Sequence, residues 1–388
     1  MQNRTINAHH LFLVVLTALI LAASATQSSA TIGTIVKSDL TGTWAISLRG
    51  NTGCGFATML ATVTIGSTGS GTGTLATHGQ CGDSSLSGQT FSIKTLAANG
   101  SGTAGLSCGT GCGWTFNIQV SPDRSKIALT DVSSKNPGNY LEGEAILTSP
   151  DGDIVPADLA GSWQVTLLGQ GGCGLGSETV NFTLDSTAST TNATAVAKTA
   201  GCGDVTSTGN TFSVLSLNSN GGGTAGLSCG AGCGFMFAIQ VSPDRSSFNL
   251  VDVTDPNNFL AGVAIRSSSN GYISAANLSG SWTLVLYGQG GCGAGAALVT
   301  FTLNNSGAAT NATEANHNAG CGNTKTTGNT FTIQSLNSDG SGVAGLSCGT
   351  GCGFTFTIQV SPDRSTFNVV DISNLDPGNY LVGEAVHQ

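Results

Sequence analysis

Charged side chains are scarce in this chain: 12 Lys and Arg and 21 Asp and Glu make up 9% of 388 residues, against roughly 25% in ordinary soluble domains. The few cations form no cluster and the net charge is −9, which excludes the basic footprint of a nucleic-acid-binding protein. Proline is equally sparse at 8, and no Gly-X-Y period accompanies it, so collagen is excluded. A mean hydropathy of +0.16 excludes a solvated disordered chain. Four Trp and four Tyr cannot furnish the two aromatic girdles of a membrane-spanning barrel. After the first thirty residues no apolar run is long enough to span a bilayer, and no segment offers helix caps around an amphipathic dozen residues. What the chain has in quantity is glycine, 57 residues, and cysteine, 12.

Arg4, His9 and His10 precede an apolar run from Leu11 to Ala23, followed by small residues at Ala23-Ser24-Ala25 and Ser28-Ser29-Ala30. This order of features reads as a secretory signal peptide over residues 1–30, cut after Ala25 or Ala30. The first cysteine is Cys54, too far downstream to be a lipidated N-terminal residue. The expected product is a soluble protein, extracellular or periplasmic.

The remainder is one unit written three times. Trp44, Trp163 and Trp282 are 119 residues apart, as are Cys54, Cys173 and Cys292. The block Gly105–Gly113 returns at Gly226–Gly234 and Gly345–Gly353, and each copy runs on into Ile-Gln-Val-Ser-Pro-Asp-Arg. The units span 38–148, 157–268 and 276–388, joined by short polar segments. A unit of this length can bury its own core, unlike the 20–50-residue repeats of solenoids, so three independent beads on a string are expected.

Within a unit the apolar period is two. Trp44, Ile46 and Leu48 alternate with Ala45 and Ser47, Val180, Phe182 and Leu184 with Asn181 and Thr183, and Phe235, Phe237, Ile239 and Val241 follow the same period. Eight such segments separated by Gly, Asn and Ser turns predict an all-β chain of three tandem antiparallel up-and-down eight-stranded barrels, with β-sandwiches as the alternative. A propeller would repeat its turn signal every 40–50 residues or so; here it recurs once per unit. The opening Leu40-Thr-Gly-Thr-Trp44, repeated at Leu159–Trp163 and Leu278–Trp282, resembles the start of a calycin barrel, the lipocalin and avidin group. That resemblance implies that each Trp plugs one end of its barrel and that a pocket lies within. The turn Ser121-Pro-Asp-Arg124 departs from the lipocalin motif, and no biotin-binding residue can be mapped.

Each unit holds four cysteines: Cys54, Cys81, Cys108 and Cys112; Cys173, Cys202, Cys229 and Cys233; Cys292, Cys321, Cys348 and Cys352. On the eight-strand reading they occupy the connections 1–2, 3–4 and 5–6, which share one rim of an antiparallel meander. In an exported chain an even count reads as two disulfides per unit. Of the three pairings open to four cysteines, Cys108–Cys112 and Cys54–Cys81 are the ones expected. Structural zinc would need two close pairs, and only one is present, so no metal is expected. A c-type haem needs Cys followed by His, and none occurs.

Gly169-Gln-Gly-Gly-Cys-Gly174 matches G-x-G-x-x-G, but a strand rather than a helix follows, so it reads as a turn. None of His78, His317 and His387 stands at a position that is His in all three copies, leaving a repeated catalytic triad without its imidazole. No cofactor and no catalytic residue is therefore expected. The inward alternation of strand seven reaches Asp131, Asp252 and Asp371, candidates for contact with a ligand at the cysteine rim, with hydrogen bonding to loop amides as the plainer role. Arg124, Arg245 and Arg364 are read as structural, closing over Trp44, Trp163 and Trp282 at the opposite end. Small inward residues common to the copies, Ala104, Gly143 and Ala145 in the first, predict filled cores with shallow rim pockets. The functional reading is a secreted, non-catalytic structural or surface-interaction protein. The alternative is a small-ligand binder of calycin type with its site at each cysteine-lined rim. The partner, whether a cell-surface or extracellular component or a small molecule, is not specified by the sequence.

Overall fold

A computed structural model describes residues 33–388 except 54, 132–137, 150–151, 231–232, 253–256, 270, 350–351 and 372–377. The predicted signal peptide, Cys54 and the side chain of Cys233 therefore lie outside the described residues. The chain is all-β and forms three closed eight-stranded antiparallel barrels: β1–β8 between Gly42 and Leu147, β9–β16 between Gly161 and Arg266, β17–β24 between Gly280 and His387. In each barrel neighbours in sequence are neighbours in the sheet, and the first strand closes on the eighth.

Closure constrains the sequence. On β8 (Asn139–Leu147) Gly143 lies opposite Leu48 of β1 (Gly42–Thr52), and a Cβ there would stand 1.9 Å from the Ser47 carbonyl oxygen. The same collision awaits any side chain at Gly262 or Gly383. Glycine at this position is thus a requirement of the seam, beyond filling the interior.

The end opposite the cysteines follows one plan three times. A short 3₁₀ turn, at Lys37–Leu40, Pro156–Leu159 and Ala275–Leu278, leads into the first strand. The indole Nε1 of Trp44, Trp163 and Trp282 donates to the carbonyl of Leu40, Leu159 and Leu278 at 2.8–2.9 Å, so each buried indole is both packed and satisfied. Arg124, Arg245 and Arg364 sit in the left-handed region at φ 63°, 59° and 65°, a conformation that normally favours Gly. Arg124 and Arg245 hold the 3₁₀ turn from there: their Nε atoms lie 3.6 Å from Asp39 and Asp158. Asn277 replaces that acid in the third barrel. The cation that does lie over an indole is Arg266, 5.8 Å from the ring of Trp163, and in the third barrel His387 packs on Trp282 at 4.8 Å. In the second and third barrels these residues lie over the indole.

The barrels are not separate beads. Thr34–Gln388 forms one compact unit, and the contacts between barrels run in a cycle. His78 of the first packs on Phe259 of the second, Lys198 of the second on Tyr380 of the third, and His317 of the third on Tyr140 of the first, with separations of 4.9, 5.9 and 4.7 Å. An apolar cluster including Tyr140, Leu168, Phe259, Tyr287 and Tyr380 draws on all three barrels. Strands facing this interface are buried on both sides: β15 (Ser247–Asp252) and β23 (Thr366–Asp371) along their whole length, β16 (Phe259–Arg266) except at its last residue. Repeats long enough to fold alone need not stay apart when their outer faces are this apolar.

Candidate functional site

In the third barrel the cysteine-bearing turns meet at one mouth. Cys292 joins Cys321 and Cys348 joins Cys352, with Cα separations of 5.4 and 5.1 Å. Cys173–Cys202 and Cys108–Cys112 repeat the two bridges in the other barrels at 5.3 and 5.0 Å, and Cys81 and Cys229 are likewise disulfide-bonded. In the second and third barrels a bridge ties the first turn to the third-to-fourth turn. In the first and third a bridge pinches the fifth-to-sixth hairpin, which includes the expected pair Cys108–Cys112; the expected Cys54–Cys81 pairing lies outside the described residues.

Cys292, Cys348 and Cys352 line a half-open cavity of about 880 Å³. Its inner wall is Leu286 on β17 (Gly280–Gly290), Ala297 on β18 (Gly293–Leu303), Glu314 on β19 (Ala308–Asn318) and Leu346 on β21 (Ser341–Gly349). From there it passes the Cys348–Cys352 hairpin and reaches Thr332 and Thr355 on the outer face of the neighbouring strands. Such a volume lies within the range of small-molecule sites, about 300–1,000 Å³. At the third barrel's mouth the space is deeper than the shallow rim pocket expected, and side-chain size contributes: where Leu75 and Met59 stand in the first barrel, the third has Glu314 and Ala297.

Glu314 is the one charged residue among the described residues of this lining. It is 6% exposed, and Asn329 on β20 (Gly322–Leu336) donates from Nδ2 to its Oε2 at 3.1 Å. Burial pushes its carboxyl above the ordinary range, opposed in part by hydrogen bonding from Asn316. The second barrel also carries an interior acid, on a different strand. Glu178 on β10 (Gly174–Leu184) shares the alternation of Val180 and Phe182, and burial raises it to about 7. Comparison of the repeats passes over both acids because neither recurs in the other copies; the signal available was an acid at an inward position of an otherwise apolar strand.

Asp131, Asp252 and Asp371 are buried, at 1%, 0% and 1% exposure, opposite the sixth strand of each barrel. The described cavity lining does not include them. The main chain of Asp131 donates to Leu141, and the Asp252 carbonyl accepts from Thr58 of the first barrel at 3.2 Å. The main chain of Asp131 thus links the seventh strand to the eighth, and that of Asp252 joins the second barrel to the first.

At the other end, Asp123, Asp244 and Asp363, one from each Ser-Pro-Asp-Arg turn, bring carboxylate oxygens within 4.8 Å of one another. Lys126 lies fully buried beside them and donates to Ser246 and Thr366 of the other two barrels at 3.3 and 3.4 Å. Burial alone would lower its ammonium, but Asp244, Glu144, Asp363 and Glu384 together raise it above its ordinary value. The chain therefore supplies a cation of its own to this acidic group.

No family profile matches the chain, and no curated protein sequence matches it. Among solved structures it is similar to transferrin binding protein B of Neisseria meningitidis serogroup B at 10% identity and a TM-score of 0.28, covering 86% of this chain and 66% of that one. A transferrin binding protein B double mutant from Haemophilus parasuis Hp5 gives 10% identity, a TM-score of 0.29 and coverages of 87% and 67%. Kievitone hydratase from Nectria haematococca gives 10%, 0.23, 94% and 96%. This chain thus spans about two thirds of the length of the two binding proteins. At these TM-scores the likenesses carry nothing about function.

Proposed function

We propose that the protein is a secreted, non-catalytic binding protein whose third barrel takes a small molecule through its disulfide-rimmed mouth. The carrying observation is the cavity of about 880 Å³ with a buried carboxyl in its wall. The repeated Leu-x-Gly-x-Trp opening, with each Trp buried at the far end of its barrel, supports a calycin-type arrangement in which the opposite mouth is the ligand entrance. The apparent signal peptide and the paired cysteines support an oxidising compartment outside the cytoplasm. The first two barrels act as the scaffold that holds the third.

Nile red, a neutral dye that brightens in apolar surroundings, provides the test. The wild-type chain should bind it saturably at one site. The double substitution Ala297→Met and Glu314→Leu, which gives the third barrel the interior side chains of the first, should remove that site while circular dichroism stays unchanged. Equal dye binding by both proteins would contradict the reading.

A further inference from the structure

We propose that the third-barrel cavity selects organic cations: molecules with one ammonium or guanidinium head on an apolar body. The inference rests on the reading of this cavity as a ligand site and adds the sign and shape of the ligand. Glu314 is the only charged side chain in the described lining, and its hydrogen-bond partner Asn329 is neutral. Lys325, on the adjacent strand, is exposed and pairs with Ala315, the residue of opposite alternation, so it faces away from the carboxyl. A carboxylate withdrawn from water without a cation is costly. The corresponding positions in the other barrels, Leu75 and Ala195, show that the fold does not need an acid there. Acids held in that way cluster at functional sites.

The surroundings select among cations. One carboxylate and a few side-chain amides are too few oxygens for a divalent metal ion, which takes about six or more. Leu286, Ala297 and Leu346 offer an apolar wall beside the acid, suited to a hydrocarbon body attached to the charged head. An anionic ligand would set a second negative charge against Glu314 inside a low-dielectric wall, and the chain's net charge of −9 repels it at long range as well.

Three probes with one body separate the possibilities: 4-phenylbutylamine, 4-phenyl-1-butanol and 4-phenylbutyrate, titrated calorimetrically at pH 7.5. The amine should bind about tenfold or more tightly than the alcohol, the worth of a charge-assisted hydrogen bond, and the acid should bind weakest. Glu314→Gln should bring the amine down to the alcohol and leave the alcohol unchanged, which also shows that the variant is folded. Equal binding of amine and alcohol to wild type would overturn the cation preference and leave the ligand site standing. An amine preference that survives Glu314→Gln would overturn the assignment to Glu314. Binding of none of the three would overturn the site and this inference together.

Discussion

Two interior glutamates decide how this protein differs from a threefold repetition of one barrel. Glu178 occupies the place that Met59 and Ala297 hold in the other copies, and its carboxyl is raised by burial to about 7, against an ordinary value near 4.5. The folded chain therefore binds a proton that the unfolded chain has released between those two values. The corresponding stability is present at low pH and is lost as pH rises through about 7. Glu178→Met removes that dependence. Its gain over wild type in urea unfolding should widen by roughly 2–3 kcal/mol between pH 5 and pH 8, and a constant gap would show that Glu178 is solvated in the folded state. The residue scale is also where the sequence was least legible. Period-two alternation marks an inward position, but an acid found at one copy only is indistinguishable from drift until the cavity beside it is seen.

At the scale of strands and turns, much more could be read in advance. Eight alternating segments per unit become eight strands, and cysteines in odd-to-even connections must share a rim, because an up-and-down sheet returns every such turn to the same side. The Trp and the Ser-Pro-Asp-Arg turn accordingly lie at the other end. The bridge Cys292–Cys321, 29 residues apart in sequence, should stabilise by about 3–4 kcal/mol, and Cys348–Cys352, only 4 apart, by about 2 kcal/mol. Replacing each pair by Ser in separate variants, with urea midpoints compared, should give losses in that order. What was not legible was the outer face of the strands. Ser47, Thr58 and Thr166 look like solvent-facing hydroxyls, yet each is buried and donates to a carbonyl of an adjoining strand or barrel. The available sign was the unbroken apolar run Phe259–Ile265, which fits a strand covered on both faces.

At the scale of the molecule, the three barrels enclose charge. Arg49 pairs with Glu142 at 2.9 Å and donates to the Ala261 carbonyl of the second barrel at 2.7 Å. Glu144 and Glu384, from the first and third barrels, lie against one another, a contact that is a hydrogen bond when one of them holds a proton. Burial raises both carboxyls, with Lys126 opposing it and their mutual repulsion adding to it for Glu384. Together with Arg49 and Glu142 they line a void of about 10 Å³, close to the lower limit for one water molecule. Lys126→Met leaves the acids without their ammonium, and a loss of about 3–5 kcal/mol is expected at pH 8. At pH 5 the loss should be smaller, since protonation of raised carboxyls then replaces the missing charge. Equal losses in urea unfolding at both pH values would show that the acids do not depend on the lysine.

The most direct measurement is a crystal structure of the protein purified from its natural source, at a resolution that shows individual ligand atoms. The cavity beside Leu286, Ala297 and Leu346 should contain density for a small organic molecule, with a donor nitrogen at hydrogen-bonding distance from Glu314. A third barrel whose side chains close over that space, leaving Glu314 turned to solvent, would contradict the account.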